Sequence, residues 1–265
     1  MRGAGKAIIA AGFAAFVILP AFAQSAPPSR QRAGAFVDPD AMARMHSAMQ
    51  KENGGGTTYY LLGDRFEYQT NKGAPLLFFG GEAWWGSDRD KLWIKTETEY
   101  EFEANRFREA EVQALWSRAI SRYFDLQTGI RRNFESGGAR TYGVLGIEGL
   151  APYWFDIDAA MFVSSRGDIS ARFESEYELL LTQRLVLQPR VELNFAAQNV
   201  EELRVGSGLS TAEAGLRLRY EIRRQFAPYI GVSWQRSVGK TADFARADGV
   251  DPGGVSFVAG LRLWH

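Results

Sequence analysis

Between Asp90 and Phe102 the chain alternates without a break: Leu92, Ile94, Thr96, Thr98, Tyr100 and Phe102 occupy one set of positions, and Lys91, Lys95, Glu97, Glu99 and Glu101 the other. Successive side chains of a strand project to opposite faces, so this segment has one apolar side and one strongly charged side. The same period returns at Ile169 to Leu181, where Ile169, Ala171, Phe173, Tyr177, Leu179 and Leu181 oppose Arg172, Glu174, Glu176 and Glu178. In Leu185 to Phe195 it sets Leu187, Val191 and Leu193 against Gln188, Arg190, Glu192 and Asn194. In Ala214 to Ile222 it sets Leu216, Leu218 and Tyr220 against Arg217, Arg219 and Glu221, and Val255, Phe257, Ala259, Leu261 and Leu263 carry it to the end of the chain. A helical period of 3.6 does not produce this pattern.

Along a single strand a water-soluble barrel and a membrane barrel read alike, because the apolar side faces inward in one and outward in the other. Context decides between them. Arg2 and Lys6, the apolar run Ala7 to Leu19, and Ala21-Phe22-Ala23 have the form of a cleaved export signal. Every later apolar run is interrupted by charge, so no helix is expected to cross a bilayer. Tyr59, Tyr60, Trp84, Trp85, Trp93, Trp116, Tyr153, Trp154, Trp234 and Trp264 fall near strand ends, where outer-membrane strands carry their aromatic girdles. These features predict an all-β fold: an antiparallel transmembrane β-barrel of about 12 strands, with a short non-barrel segment before it. The expected organisation is a signal peptide at 1–23, a periplasmic N-terminal segment and linker at 24–56, and an outer-membrane β-barrel at 57–265.

Composition removes several function classes. Thirty-one basic and 31 acidic residues give a formal charge of zero, without the basic surface that a nucleic-acid partner requires. With no Cys, a disulfide scaffold, a thiolate metal site and a thiol nucleophile are all excluded. An outer-membrane hydrolase would need a histidine base in or beside the barrel, and the 2 histidines are His46 in the N-terminal segment and His265 at the end. Ser207 lacks a full G-x-S-x-G elbow and reads as part of a turn, while Asp156 and Asp158 alternate inward as barrel lining. The chain is expected not to be an enzyme.

Tyr60-Leu-Leu-Gly-Asp-Arg-Phe-Glu-Tyr68, Ser87-Asp-Arg-Asp-Lys-Leu-Trp-Ile-Lys95 and Glu109-Ala-Glu-Val-Gln-Ala-Leu-Trp-Ser-Arg118 follow one another in order. Gly149-Leu-Ala-Pro-Tyr-Trp-Phe155, Leu180 to Arg190, Gly206-Ser-Gly-Leu-Ser210, Gly215 to Arg224 and Gly239-Lys-Thr-Ala-Asp-Phe-Ala-Arg246 continue the series. With these blocks the chain resembles the copper-resistance protein B family over most of its length from Tyr59 onward. The resemblance implies an outer-membrane β-barrel that serves copper tolerance in a Gram-negative bacterium, with copper, as Cu(I) or Cu(II), as the bound or transported ion. It also implies outer-membrane lipid and periplasmic copper-handling proteins as partners. The competing expectation is a general small-solute pore or structural barrel with no copper role.

Two groups of residues are candidate sites. Met42, Met45, His46 and Met49 share one face if their segment is helical, and thioether and imidazole are the neutral ligands that soft Cu(I) favours in the absence of thiolates. The same spacing also describes an amphipathic Met stripe that packs against a surface. The second group is lumen charge: Glu97, Glu99, Glu101, Glu103, Glu109, Glu111, Glu174, Glu176 and Glu178, with Lys91, Lys95, Arg190, Arg217 and Arg219 on the same inward faces. Unpaired, these carboxylates would draw cations into a pore. Neutralised by the lysines and arginines, together with Arg118 and Arg131, they would form an ion-pair network that fills it.

Overall fold

Strands that alternate apolar and charged side chains need a partner on each edge and a solvent for each face, and a closed barrel in a bilayer meets both needs. A computed structural model of the chain describes residues 38–53, 56–70, 75–102, 106–135 and 138–265; the expected signal peptide lies outside them. Helix α1 (Pro39–Asn53) begins on Asp38, whose side chain accepts the Asp40 amide at 3.1 Å, and Pro39 occupies the first turn, where its missing N–H costs no bond.

The strands are β1 (Thr58–Thr70), β2 (Leu76–Gly86), β3 (Asp90–Glu101), β4 (Arg106–Ala119), β5 (Phe124–Glu135), β6 (Gly138–Ala151), β7 (Phe155–Ser164), β8 (Ile169–Glu176), β9 (Leu179–Leu180), β10 (Leu185–Ala196), β11 (Gly208–Tyr220), β12 (Phe226–Ser237) and β13 (Gly253–Trp264). Neighbours pair antiparallel, and β13 returns to β1 from Leu62↔Trp264 to Thr70↔Phe257, which closes the sheet. Both β8 and the two-residue β9 pair with β10, so the barrel has 12 staves. The expected unbroken strand from Ile169 to Leu181 is interrupted at 177–178. Pro189 stands opposite this gap and has no N–H to donate, so β8 ends at Glu176, paired with Arg190, and pairing resumes at Leu187↔Leu179. At the other seam His265 donates to the Leu61 carbonyl at 2.8 Å and accepts the Leu61 amide at 3.0 Å.

The two ends of the barrel differ. At the end where Thr58 and Trp264 lie, short turns 87–89, 120–123, 152–154, 181–184 and 221–225 join the strands. The opposite end carries the two long connections, 197–207 and 238–252; the second contains helix α2 (Gly239–Ala247). The Thr241 hydroxyl on α2 accepts the Gly206 amide at 2.9 Å and ties the two connections together.

Side-chain exposure is inverted relative to a soluble barrel. Ile130, Leu145, Ile230 and Phe257 are 59%, 49%, 63% and 68% exposed on the outer wall, whereas Glu67, Glu111, Arg217 and Arg219 are buried inside. An apolar outer belt around a polar lumen matches a hydrocarbon surround. The interior also holds an apolar cluster of Trp93, Leu115, Tyr142, Val144 and Phe162, backed by Trp84 and Ala160. Trp93 was expected in a girdle. It lies instead inside the lumen, 8% exposed, on the same face as Lys91 and Lys95, with its indole N–H donating to Glu82 at 3.1 Å.

Candidate functional site

Register sets carboxylates beside carboxylates in the lumen. Glu97 pairs with Glu111 and Glu99 with Glu109 across β3 and β4. On the other side Glu148↔Asp158, Asp158↔Glu174 and Glu174↔Glu192 form one continuous row through β6, β7, β8 and β10. Like charges directly opposite one another destabilise a sheet, so these rows need cations from elsewhere.

Some of those cations reach across the lumen, and others come from the same or the adjacent strand. Lys95 on β3 extends its Nζ to Glu148 at 2.5 Å and Asp158 at 2.6 Å. Arg172 on β8 meets Glu97 at 3.1 Å, Glu111 at 3.2 Å and Glu192 at 3.7 Å. Arg190 holds Glu174 at 2.5 Å and Glu192 at 3.0 Å, and Arg131 holds Glu111 at 2.7 Å. The Arg131 guanidinium also lies 4.5 Å from the Phe162 ring centroid, so the apolar cluster supports the network from one side. Arg65 completes it, 3.7 Å from Glu97 and 4.0 Å from the centre of the Phe78 ring.

The chain Arg65–Glu97–Arg172–Glu111–Arg131 thus ties β1, β3, β8, β4 and β5 together at the waist of the barrel. A cavity of about 770 Å³ opens toward the long connections and one of about 160 Å³ toward the short turns, and Arg65 and Glu97 line both. The smaller cavity is acidic: Asp64, Glu82, Glu148, Asp156, Asp158, Glu174 and Glu176 face it against Lys95, Arg190 and Arg262. Toward the short turns Lys91 pairs with Asp125 at 2.9 Å, Arg219 with Glu178 at 2.9 Å, and Arg262 with Glu178 at 2.6 Å.

Most of the expected lumen residues therefore meet inside the barrel. Glu97, Glu111, Glu174 and Arg190 belong to the connected network, Lys95 forms its own cluster with Glu148 and Asp158, and Arg217 forms a separate enclosed pair with Glu67. Glu99 stands 3.8 Å from Arg108 and Glu109 3.9 Å from Arg131. Glu176 accepts a bond from the Gln188 amide, and Glu101 continues the inward positions of β3. Glu103 lies outside the described residues. Arg118 is a correction: it shares the outward face of β4 with Trp116, its guanidinium 5.7 Å from that ring, and neutralises nothing in the lumen. Arg65 and Arg172 were missing from the expected set. Arg172 was legible as a charged-face residue of its strand, but its reach to β3 and β4 follows only from closure of the barrel. Arg65 sits at a register shift between Leu62 and Arg65 that breaks the two-residue alternation.

Met42, Met45 and Met49 fall within α1 at a spacing that sets them along one helical face, and His46 belongs to the same helix. Met45 is 63% and Met49 59% exposed. Among the described residues no group of three or more His, Cys, Asp or Glu side chains is placed to hold a metal ion.

Comparison with known proteins agrees with this architecture. The family model described as copper resistance protein B precursor (CopB) matches residues 57–265. A copper resistance protein B homolog of Pseudomonas syringae pv. tomato is 43% identical over 227 residues, covering 86% of this chain and 76% of the relative. The copper resistance protein B of Escherichia coli is 44% identical over 207 residues, covering 78% of this chain and 69% of the relative. Among solved structures the NanC porin superposes with a TM-score of 0.52 at 13% identity, covering 78% of this chain and 99% of that one, a likeness of fold alone.

Proposed function

Because the chain belongs to the copper resistance protein B family, we propose that it serves copper tolerance from the outer membrane by capturing the ion on its periplasmic side, with a lumen kept shut by its own charges. The observation that carries this reading is the Arg65–Glu97–Arg172–Glu111–Arg131 chain across the waist. An open general pore leaves its constriction to water and solute; here guanidinium and carboxylate groups occupy the boundary between the two cavities. The short turns at one rim, where the barrel also begins and closes, support reading that rim as periplasmic, by analogy with outer-membrane barrels generally. In this reading residues 1–23 are an export signal, 24–56 a periplasmic segment, and 57–265 the barrel.

Copper itself is cargo. Met42, Met45, His46 and Met49 are the donors suited to Cu(I), and the exposure of Met45 and Met49 leaves their thioethers free to receive an ion from a periplasmic copper-handling protein. The carboxylates of the smaller cavity are hard donors, better matched to Cu(II), and most already serve the ion-pair network. No step of this role requires catalysis. The test is growth of a deletion strain on graded copper, complemented by the natural chain or by a form with Met42, Met45, His46 and Met49 replaced, beside conductance of the natural barrel in planar bilayers. Restored tolerance by the natural chain, weaker restoration by the variant and low conductance are expected. A large, unselective conductance with tolerance unaffected by the deletion would instead identify a general pore.

A further inference from the structure

The rim at the short-turn end differs in charge from the cavity it surrounds. Four of the five short turns carry arginine: Arg89, Arg122, Arg184, and the adjacent Arg223 and Arg224. All five side chains are exposed, and none meets a carboxylate within 4.0 Å among the described residues. The same turns hold two carboxylates, Asp88 and Glu221, and Glu221 is engaged by the inward-facing Arg219 at 3.5 Å. A sixth arginine, Arg118, stands at the end of β4 on the outer wall, its guanidinium 5.7 Å from the ring of the outward Trp116 and only loosely paired with Asp90 at 3.9 Å.

Apolar side chains are interleaved with these arginines. Tyr123 is 62%, Tyr153 83%, Trp154 73% and Leu180 65% exposed at the same rim. Tyr153 and Trp154 are held outward by two successive left-handed residues, φ 68° and 67°, a conformation that non-glycine residues adopt only at a cost. Amphipathic rings beside guanidinium groups suit the boundary between acyl chains and headgroups, where the ring lies in the apolar layer and the cation reaches phosphate. Arg118 separates a lipid partner from an acidic protein, because its place on the outer wall beside Trp116 faces the bilayer rather than the periplasm.

We propose that this arginine collar binds the phosphates of anionic phospholipids in the leaflet at the short-turn end, fixing the depth of the barrel in the membrane. Guanidinium offers paired donors to phosphate oxygens, and each basic residue near an anionic surface strengthens attachment about fivefold. The inference rests on the reading that the barrel spans a bilayer, and it is independent of copper.

The test is native mass spectrometry of the full chain in neutral detergent, titrated with phosphatidylglycerol or phosphatidylcholine. The natural form is compared with one carrying Arg89→Gln, Arg118→Gln, Arg122→Gln, Arg184→Gln, Arg223→Gln and Arg224→Gln. Folding of each form is checked first by its heat-dependent gel mobility; if the sixfold form does not fold, the single substitutions replace it. Preferential retention of phosphatidylglycerol by the natural form is expected, falling about fivefold for each arginine removed and unaffected by millimolar inorganic phosphate. Equal retention of the two lipids, or an unchanged preference in the variants, would overturn the proposal and point to an acidic periplasmic protein as the collar's partner. Failure of the natural chain to insert into vesicles would instead remove the membrane reading itself.

Discussion

Arg172 on β8 reaches across the lumen to Glu97 on β3, Nη1 to Oε2 at 3.1 Å. The same guanidinium meets Glu111, the cross-strand neighbour of Glu97, at 3.2 Å, so one cation compensates a pair of carboxylates that register forces together. Replacing Arg172 with alanine removes the centre of the waist and leaves Glu97, Glu111 and Glu192 with less cation around them. Single-channel recording in planar bilayers should show a several-fold rise in conductance and a reversal potential displaced toward the cation equilibrium. Arg172→Lys keeps the charge but not the fork that spans two carboxylates, and should fall between the two. An unchanged, low conductance in Arg172→Ala would place the barrier elsewhere.

Glu67 and Arg217 form a different kind of pair. Their contact is 2.7 Å, and the two side chains are 0% and 3% exposed. Removing one partner strands a charge in a dry interior, so Glu67→Ala should lower stability by about 3–5 kcal/mol. The double change Glu67→Leu with Arg217→Met removes both charges and should cost much less. Urea unfolding in vesicles, followed by tryptophan fluorescence, measures both. As a contrast, breaking the exposed Arg246–Asp243 pair on α2, with side chains 54% and 67% exposed, should change stability by less than about 1 kcal/mol.

These two pairs show how far the sequence could be read. The two-residue period places Glu97, Lys95 and Arg217 on inward faces whatever their partners, and for that reason the barrel and its charged lining were legible. Partnership across the lumen was not, because Arg172 and Glu97 are 75 positions apart and meet only through closure of 12 staves. Arg65 was hidden by the bulge after Leu62, which displaces the alternation by a residue. Trp93 was misread for the opposite reason. A tryptophan near a strand end suggests a girdle, but its position between Lys91 and Lys95 already put it on the charged face. Arg118 shows the same error in mirror image, since it lies two residues from Trp116 and shares its outward side.

Gly260 on β13 lies under the ring of the inward-facing Tyr229. A Cβ at this position would stand 2.6 Å from Tyr229 Cζ and 2.7 Å from the Phe66 carbonyl oxygen. Because one obstacle is backbone on a paired strand, rotation of the tyrosine alone does not relieve the clash. Gly260→Ala should therefore cost about 1–3 kcal/mol. Gly260→Ala combined with Tyr229→Phe should remain destabilised, since the ring and the Phe66 carbonyl are still in place. Thermal loss of the compact gel mobility provides the measurement.

The Cu(I) site proposed at Met42, Met45, His46 and Met49 makes a prediction that separates copper capture from packing. Soft Cu(I) binds thioether and imidazole in preference to carboxylate, so competition against a chromophoric Cu(I) chelator under reducing conditions should show one ion held by the natural chain. Replacing Met42, Met45 and Met49 with leucine and His46 with glutamine preserves the length and apolar character of the methionine positions while removing the donors. Binding should fall to background with the barrel's gel mobility and unfolding unchanged. If the stripe were only packing, leucine would serve as well as methionine and the natural chain would show no Cu(I) binding to lose. Binding that survives all four replacements would transfer the ion to the lumen, where Glu82 and Asp156 stand in the acidic cavity. In that case Cu(II) should bind more tightly than Cu(I), because the donors would be carboxylates.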